Sequence, residues 1–464
     1  MRLSGEAYCQ VRALIADRLG LDFPESRLAD LERGLIRASR TPSIAALEAY
    51  LARLAALPGE SPEWRRLAAN LTVGETYFFR DRAVFDALEQ QVLPSLIAAR
   101  RSEGTLRLRL WSAGCATGEE PYSLSILLDR LLPDCADWAV TILGTDINAE
   151  ALEAAQRGVY RKWALRETPQ WIQDRYFHRR GAETFEVDPA TRRMVTFAPL
   201  NLGVDCYPSV VTNTSAMDLI ICRNVLMYFT REAQRATVAR LERALMAGGW
   251  LVVSPAEASA ELFHPLVPVN FPGATLYRKG VGAAVSHHPS VISPPLPKWQ
   301  VETILPDPTS VVPCDVLGGP VAPPVEERVE GLSDRGTVLQ RARVLADQGN
   351  LEEARRLCDL AMAHDRLDPE AYLLVAAICQ EQGETSVALD ALRRTLYLAP
   401  DLAPAHFLLG SLLLRQGKRK QALRSMGTVV KLLSSRPRDE VVPGGDGLTA
   451  GRLVETARAY LECA

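Results

Sequence analysis

The sequence predicts an α/β fold followed by an all-helical repeat array, and three observations carry that assignment. Residues 106–128 read as a strand, a glycine turn and a helix. A second apolar run, Thr141–Leu143, ends on Gly144, Thr145 and Asp146 ahead of a helical stretch. Beyond residue 335, glycines recur every 34 residues with small residues in phase.

Residues 1–70 are expected to form a helical N-terminal domain. Leu14, Leu21, Leu28, Leu31, Leu35, Leu47, Leu51 and Leu54 recur at helical spacings, and strand-type runs are absent. Arg33, Arg37 and Arg40 fall three and four apart, so they share one helix face, either solvated or a dock for an acidic helix. The next stretch, Leu71–Asp81, sets two phenylalanines among polar residues, the pattern of a turn with its aromatics packed inward. Arg80 there reads equally as a ligand contact or as an ion-pair partner of Asp81 or Glu75.

Leu106, Leu108 and Leu110 alternate with other residues, the period of a strand. Gly114 and Gly118 bracket small residues, and Pro121 suits the first turn of a helix continued by Tyr122, Leu124, Leu127 and Leu128. In an open α/β sheet such a turn lies at the carboxyl edge of a strand, where ligands bind. Glu119 and Glu120 stand there without the lysine of a phosphate loop, so a phosphate would be repelled. Acids at a helix start also suit its dipole. Asp146 ends the second strand, where a nucleotide-type ribose diol is held; its alternative role is to cap the helix over 149–156.

The region of about 160–198 holds two stretches with alternating apolar residues, and Val187 and Val195 flank DPATRR, which reads as a hairpin turn. It is expected to be an antiparallel β-subdomain, with Arg179, Arg180, Arg192 and Arg193 giving it positive charge. Met217–Cys222 reads as a buried strand leading to Arg223, Asn224 and the pair Tyr228-Phe229. Thr230 is expected to cap a helix over 231–246 that ends at Gly248 and Gly249. Further strands at 249–254 and 274–278 complete an alternation of strands and helices, hence a mostly parallel sheet.

Residues 281–334 are proline-rich and aperiodic, the composition of a semi-extended, disordered linker. In 335–464, Gly349, Gly383 and Gly417 are 34 apart; Ala354, Ala388 and Ala422 follow each by five, and Ala342, Ala376 and Gly410 precede each by seven. This is the tetratricopeptide pattern, read as three repeats over 335–368, 369–402 and 403–436 with Leu453–Leu461 as a capping helix. Such arrays bind a protein or peptide in a concave groove.

Composition narrows the function classes. A net charge of −3 over 464 residues gives no case for nucleic-acid binding. Nine scattered cysteines without a CxxC pair, and six histidines, argue against a structural metal site and a disulfide framework. No apolar run approaches the roughly 20 residues of a membrane span, and the start lacks an apolar signal core. A cytoplasmic protein with reduced thiols and no direct membrane insertion is expected.

Four blocks stand in one order: TxxETxFFRD from Thr72, WSAGCATGEEPYSLS from Trp111, GTDIN from Gly144 and CRNVLMYF from Cys222. Together they resemble the CheR-type chemoreceptor glutamate O-methyltransferases, over roughly residues 1–280. The resemblance implies a helical domain, then an S-adenosylmethionine-binding, Rossmann-like domain (71–280) with the β-subdomain inserted. It also implies S-adenosylmethionine as cofactor, methyl transfer to glutamates of a methyl-accepting chemoreceptor's cytoplasmic domain, and recruitment to receptors. By position it implies cofactor contacts from Gly74 (usually Asn in the family), Thr76, Arg80, one or other of Glu119 and Glu120, Asp146, Asn201, Leu202, Arg223 and Asn224. Repeat-bearing relatives occur in alternative chemosensory pathways, such as those controlling biofilm formation.

The chemistry follows from the reactants. A sulfonium is already an activated electrophile, and a glutamate with its ordinary pKa of about 4.3 is ionised at pH 7. Neither a general base nor a metal is required, and catalysis is in-line placement with water excluded. Arg80 and Arg223 are candidates to orient carboxylates of cofactor or substrate, and Tyr228 to line the methyl group through its π-face or hydroxyl. A non-catalytic adaptor, with the repeats as the working part, is the alternative, favoured only by Gly74. All four blocks precede the linker, so removing 335–464 is expected to leave basal chemistry intact.

Overall fold

The computed structural model describes residues 5–40, 44–57, 61–209, 211–280 and 335–462. The linker expected at 281–334 lies outside the described residues. The chain begins with four helices, α1 (Gly5–Leu19), α2 (Leu28–Ser39), α3 (Ile44–Ala56) and α4 (Pro62–Leu71). The leucine stripe explains them: Ile15, Leu31, Leu35, Leu54, Trp64 and Leu67 recur at helical spacing and are buried in one core. Ser61 caps α4 by accepting from the Trp64 amide, with Pro62 in the first turn. Arg40 sits beyond the end of α2 in a left-handed conformation (φ 55°), off the face that Arg33 and Arg37 share. Arg33 pairs with Asp30, and Arg37 donates to the Asn70 carbonyl at 3.2 Å, so local partners take up that stripe.

Short helices α5 (Arg82–Ala87) and α6 (Leu93–Ser102) lead into the sheet. Strand β1 (Arg107–Ala113) is followed by α7 (Glu119–Leu131), β2 (Ala139–Asp146) and α8 (Ala149–Arg157). After β3 (Val159–Arg161), α9 (Gln170–Tyr176), β4 (Phe177–Arg179), β5 (Thr184–Val187) and α10 (Pro189–Arg193), strand β6 (Val195–Pro199) returns to the main sheet. Then come β7 (Met217–Ile221), α11 (Arg231–Ala244), β8 (Leu245–Val252), β9 (Val267–Phe271) and β10 (Ala274–Arg278). The seven strands run β6-β2-β1-β7-β8-β10-β9. The pairs from β6 to β8 are parallel, and β10 is antiparallel to both β8 and β9. The chain works outward from β1 on one side and then from β7 on the other. A crevice therefore opens at the carboxyl ends of these two strands, the switch point of a doubly wound sheet.

Two expectations need correction. DPATRR is not a hairpin: Pro189 starts a helical turn, the Asp188 side chain caps it at the Ala190 amide, and β6 then joins β2 rather than β5. The antiparallel subdomain is the three-stranded sheet β3-β5-β4. Its charge is largely spent locally, since Arg180 and Arg192 both pair with Glu186 and Arg179 bonds its own turn. The second correction concerns α11, which Thr230 caps at the Ala233 amide. It ends at Ala244, and Gly248 and Gly249 lie inside β8.

The C-terminal helices pair as α12 (Arg335–Asp347) with α13 (Leu351–His364), α14 (Pro369–Glu381) with α15 (Thr385–Leu398), and α16 (Ala403–Arg415) with α17 (Arg419–Leu433). A final helix, α18 (Ala450–Glu462), packs on α17. The in-phase Ala342 and Ala376 are fully buried, which lets each pair approach closely.

This array is packed against the sheet domain. The turn after α12 brings Gly349 against Met246, and the turn after α14 brings Gly383 against Ala139. The Glu381 carboxylate lies 3.9 Å from Arg107 and from Arg109, all three buried at the base of the sheet. A loop closed by the bridge Val441–Thr449 presents Asp446 to Arg343 at 3.8 Å and accepts from Ser209 of the sheet domain at 3.5 Å. Phe407, Val429 and Val454 share a hydrophobic core with Leu19, Trp64, Trp111 and Ile220. Around α14, Leu373, Ala377, Gln380 and Glu381 are all buried, and Leu373 lies against Gly444 of the 441–449 loop. Nothing local in the sequence signals this docking, because Gly349 and Gly383 are already explained by the repeat pattern.

Candidate active site

The switch-point crevice is a cleft between the carboxyl ends of β1, β2 and β7 and the N-terminal helices. Gly114 makes its inner wall possible. It has φ +86°, and a Cβ there would stand 2.4 Å from Cγ2 of Val225. Gly118, at φ +92°, starts α7, and a Cβ would meet that of Ala155 at 2.7 Å. The turn between them is fastened to the next strand. Asp146 accepts the Ala116 amide at 2.8 Å through one oxygen and the Asn148 amide at 2.8 Å through the other. Asn148, not Asp146, caps α8. Burial pushes the Asp146 carboxyl above its ordinary range, against the pull of these amides.

Of the sequence-derived candidates, Gly74, Thr76, Arg80, Glu120, Asp146, Asn201, Leu202, Arg223, Asn224 and Tyr228 line this cleft. Glu119 is outside the lining. It is buried, accepts from the Thr117 hydroxyl at 2.7 Å, and burial pushes its carboxyl up to about 7. Glu120 accepts from Ser112 at 2.7 Å and from Arg223 at 3.2 Å; burial raises its pKa, and the Arg223 charge opposes the shift.

The two arginines differ in availability. Arg223 is buried between Glu120 and Asp81, so its charge is already balanced and it is not a free clamp for another carboxylate. Arg80 donates to the Glu75 carbonyl at 2.8 Å and, among the described residues, has no carboxylate within ion-pair reach. Neither expected partner forms an ion pair with it: Asp81 is engaged by Arg223, and Glu75 meets Arg80 through its backbone carbonyl. At Gly74 no atom lies within 4 Å of where a Cβ would stand, so packing does not demand a glycine.

The remaining candidates are held by the scaffold. Asn201 donates to the Arg18 carbonyl at 3.0 Å and accepts from the Gly203 amide at 2.9 Å, tying α1 to the sheet. The Leu202 carbonyl accepts from Tyr207, Thr237 and Arg240. Asn224 has φ 58°, and its side-chain oxygen is buried without a partner. One face of the Tyr228 ring carries the Arg27 guanidinium, 5.0 Å from the centroid.

The family profile described as CheR methyltransferase, SAM binding domain, matches residues 74–265. Over 430 residues the chain is 30% identical to a probable biofilm formation methyltransferase, WspC, of Pseudomonas aeruginosa, covering 89% of this chain and 95% of that relative. This chain belongs to the CheR methyltransferase family. A WspC relative from Pseudomonas putida is 28% identical, covering 88% of this chain and 95% of its own. Chemotaxis protein methyltransferase 1 of Pseudomonas aeruginosa is 39% identical over 213 residues, covering 45% of this chain and 74% of its own. The protein is thus an S-adenosylmethionine-dependent methyltransferase. No helix among its described residues is long and apolar enough to cross a membrane.

In this CheR methyltransferase the N-terminal helices contribute to the cleft directly, which the sequence did not reveal. Leu19, Leu21, Phe23 and Arg27 line it. Leu21 forms a β-bridge with Phe229, and the Asp22 amide donates to the Tyr228 carbonyl at 2.8 Å. Such long-range pairing leaves no local pattern. Glu257 was also missed, although the Ser254-Pro255-Ala256-Glu257 spacing is that of a capping box, which the structure forms.

Proposed function

We propose that this CheR methyltransferase transfers the methyl group of S-adenosylmethionine to glutamate side chains of a methyl-accepting chemoreceptor's cytoplasmic domain. The pathway is a chemosensory one of the kind that governs biofilm formation. The observation that carries the substrate assignment is Arg80, a guanidinium in the cleft wall without a carboxylate partner among the described residues. Its remaining N–H groups are suited to a carboxylate from cofactor or substrate.

S-adenosylmethionine supplies an electrophilic methyl group on a sulfonium. Asp146 is the acceptor for the ribose hydroxyls, beside the close backbone approach of the Gly114 turn. Asn224 offers its unpaired oxygen, and open space at Gly74 leaves room beside Thr76. Arg223, paired with Glu120 and Asp81, forms the floor. Tyr228 lines the methyl position from the ring face opposite Arg27 or through its hydroxyl. The N-terminal helices exclude water, which strengthens every charged contact inside. The incoming glutamate arrives ionised, so no group on the chain needs to remove a proton.

In this reading residues 1–70 close the cleft, 71–280 carry the chemistry, 281–334 link, and 335–464 are the repeat unit. Recruitment to a receptor brings the cleft to its substrate. A protein or peptide entering the repeat groove has to displace the chain's own 441–449 loop. The test is to compare base-labile methylation of membrane receptors in cells with and without this chain. A receptor methylated only when the chain is present supports the proposal; an identical methylation pattern in both rejects it.

A further inference from the structure

The loop after β7 carries two cleft residues, Asn224 and Tyr228, yet few of its own side chains hold it in place. Gln234 donates to its Leu226 and Phe229 carbonyls, and its Asn224, Val225 and Met227 amides are held by Glu257, from the turn after β8. One Glu257 oxygen accepts the amides of Val225 at 2.8 Å and Met227 at 3.2 Å. The other accepts the amides of Asn224 at 2.7 Å and Ser254 at 3.2 Å, and the Ser254 hydroxyl at 2.6 Å. Glu257 is buried and has no cationic partner among the described residues, so its charge is balanced by these five donors.

This arrangement has a conformational consequence. Asn224 sits in the left-handed region at φ 58°, which is strained for a non-glycine residue and is tolerated best by Asn and Asp. The amides of Asn224 and Val225 must point the same way to reach one carboxylate, and that bend turns the Asn224 side chain into the cleft. There its oxygen is buried and unpaired. An unsatisfied buried carbonyl is costly, which points to a donor supplied by a ligand. The same bend seats Val225 in the space above Gly114, so the glycine turn and the β7 loop are locked to each other.

We infer that Glu257 is a positioning residue for methyl transfer: its carboxylate fixes the 224–227 backbone so that Asn224 meets the bound cofactor. Glu257 itself does not reach the cleft lining. A glutamine there keeps one acceptor oxygen and presents an NH₂ group to the N–H donors on the other side, so shape is preserved while half of the loop's anchor is lost. The inference rests on the assignment of Asn224 to the cofactor, and the experiment separates the two.

The test is a double-mutant cycle on the full chain, read as S-adenosylmethionine affinity by calorimetry, with Tm and far-UV dichroism as fold controls. Glu257→Gln should weaken binding about ten-fold in the wild-type background, as loss of a charge-assisted contact does. In an Asn224→Ala background it should cost less than about two-fold, because the residue it acts through is gone. Equal costs in both backgrounds, or no cost in the wild type, overturn the inference. An Asn224→Ala variant that binds like wild type overturns the Asn224 assignment and the positioning route with it. If Glu257→Gln does not fold, Glu257→Asp, which keeps the charge but shortens the reach, takes its place in the same cycle with the same criteria. A wild-type chain that fails to bind S-adenosylmethionine would instead reject the cofactor assignment underlying the proposed function.

Discussion

The Asp146 carboxylate accepts the Ala116 amide at 2.8 Å, so the acid at the end of β2 is fastened to the turn at the end of β1. One carboxylate thus shapes the glycine turn and faces the cleft. Asp146→Ala removes both functions and should weaken S-adenosylmethionine binding at least ten-fold in calorimetry. Because burial raises the Asp146 pKa from its ordinary value, wild-type affinity should fall as pH drops through that raised pKa. The carboxylate form accepts the diol, and the protonated form gives up an acceptor. Asp146→Asn should bind more weakly at pH 8 and lose that pH dependence; an unchanged profile in the Asn variant would clear Asp146 of the role.

Gly114→Ala is predicted to be among the most damaging single-methyl changes at the site. The backbone is at φ +86° and the new Cβ would fall 2.4 Å from Val225. The loop carrying Asn224 must move or the turn must change conformation. The expected result is a loss of roughly 1–3 kcal/mol of stability and of most cofactor affinity, read by thermal unfolding with and without S-adenosylmethionine.

Glu119 yields a prediction of opposite sign. Its carboxyl is raised to about 7 by burial, above the value near 4.5 of an exposed glutamate. Its contribution to stability is present below the unfolded value and is lost as pH rises through about 7. Glu119→Gln should therefore raise Tm relative to wild type at pH 8 and change it little at pH 4.5. Destabilisation at both would mean that the Thr117 contact outweighs desolvation.

Much of this architecture was legible in the sequence because it is local. Period-two and period-3.6 patterns fix β1, α7 and the N-terminal helices, and phased small residues mark the helical pairs. The site was legible where motif and backbone coincide, as at Gly114, Asp146 and Asn224. It was illegible where distant segments meet. Arg80 and Arg223 look equivalent as residues, and what distinguishes them is that Asp81 and Glu120 both turn to Arg223. DPATRR carries good turn chemistry, but Asp188 uses the same chemistry to cap a helix. The docking of Glu381 on Arg107 and Arg109 joins segments more than 270 residues apart and has no periodic signature.

That docking changes what truncation should do. The array shares its core with α1–α4 and the sheet, so a chain ending before residue 335 uncovers surface around Met246, Ala139 and β6. Such a variant should lose several degrees in Tm and bind more hydrophobic dye. Its cleft residues all remain, so any folded fraction should bind S-adenosylmethionine within about three-fold of the full chain. An unchanged Tm would show that the array contributes no stability to the sheet domain.

The contact at the base of the sheet makes a sharper form of the same claim. Both Glu381 oxygens, and one terminal nitrogen each of Arg107 and Arg109, are buried without hydrogen-bond partners. Glu381→Ala leaves two arginines uncompensated and should destabilise the full chain by roughly 3 kcal/mol. Replacing Glu381 and Arg107 together by leucine should cost less than Glu381→Ala, because one buried arginine rather than two is then left without its counter-charge. Equal losses in denaturant unfolding would mean that packing, not charge, decides the interface.

The most direct test of the central claim is transfer itself: purified full-length chain, S-adenosylmethionine with a labelled methyl group, and the cytoplasmic fragment of a methyl-accepting receptor from the same cells. Label is expected on the receptor fragment that is released by mild base, as a glutamyl methyl ester is, and that is lost with Asp146→Ala. Tight cofactor binding with no base-labile label on any receptor fragment would contradict the claim.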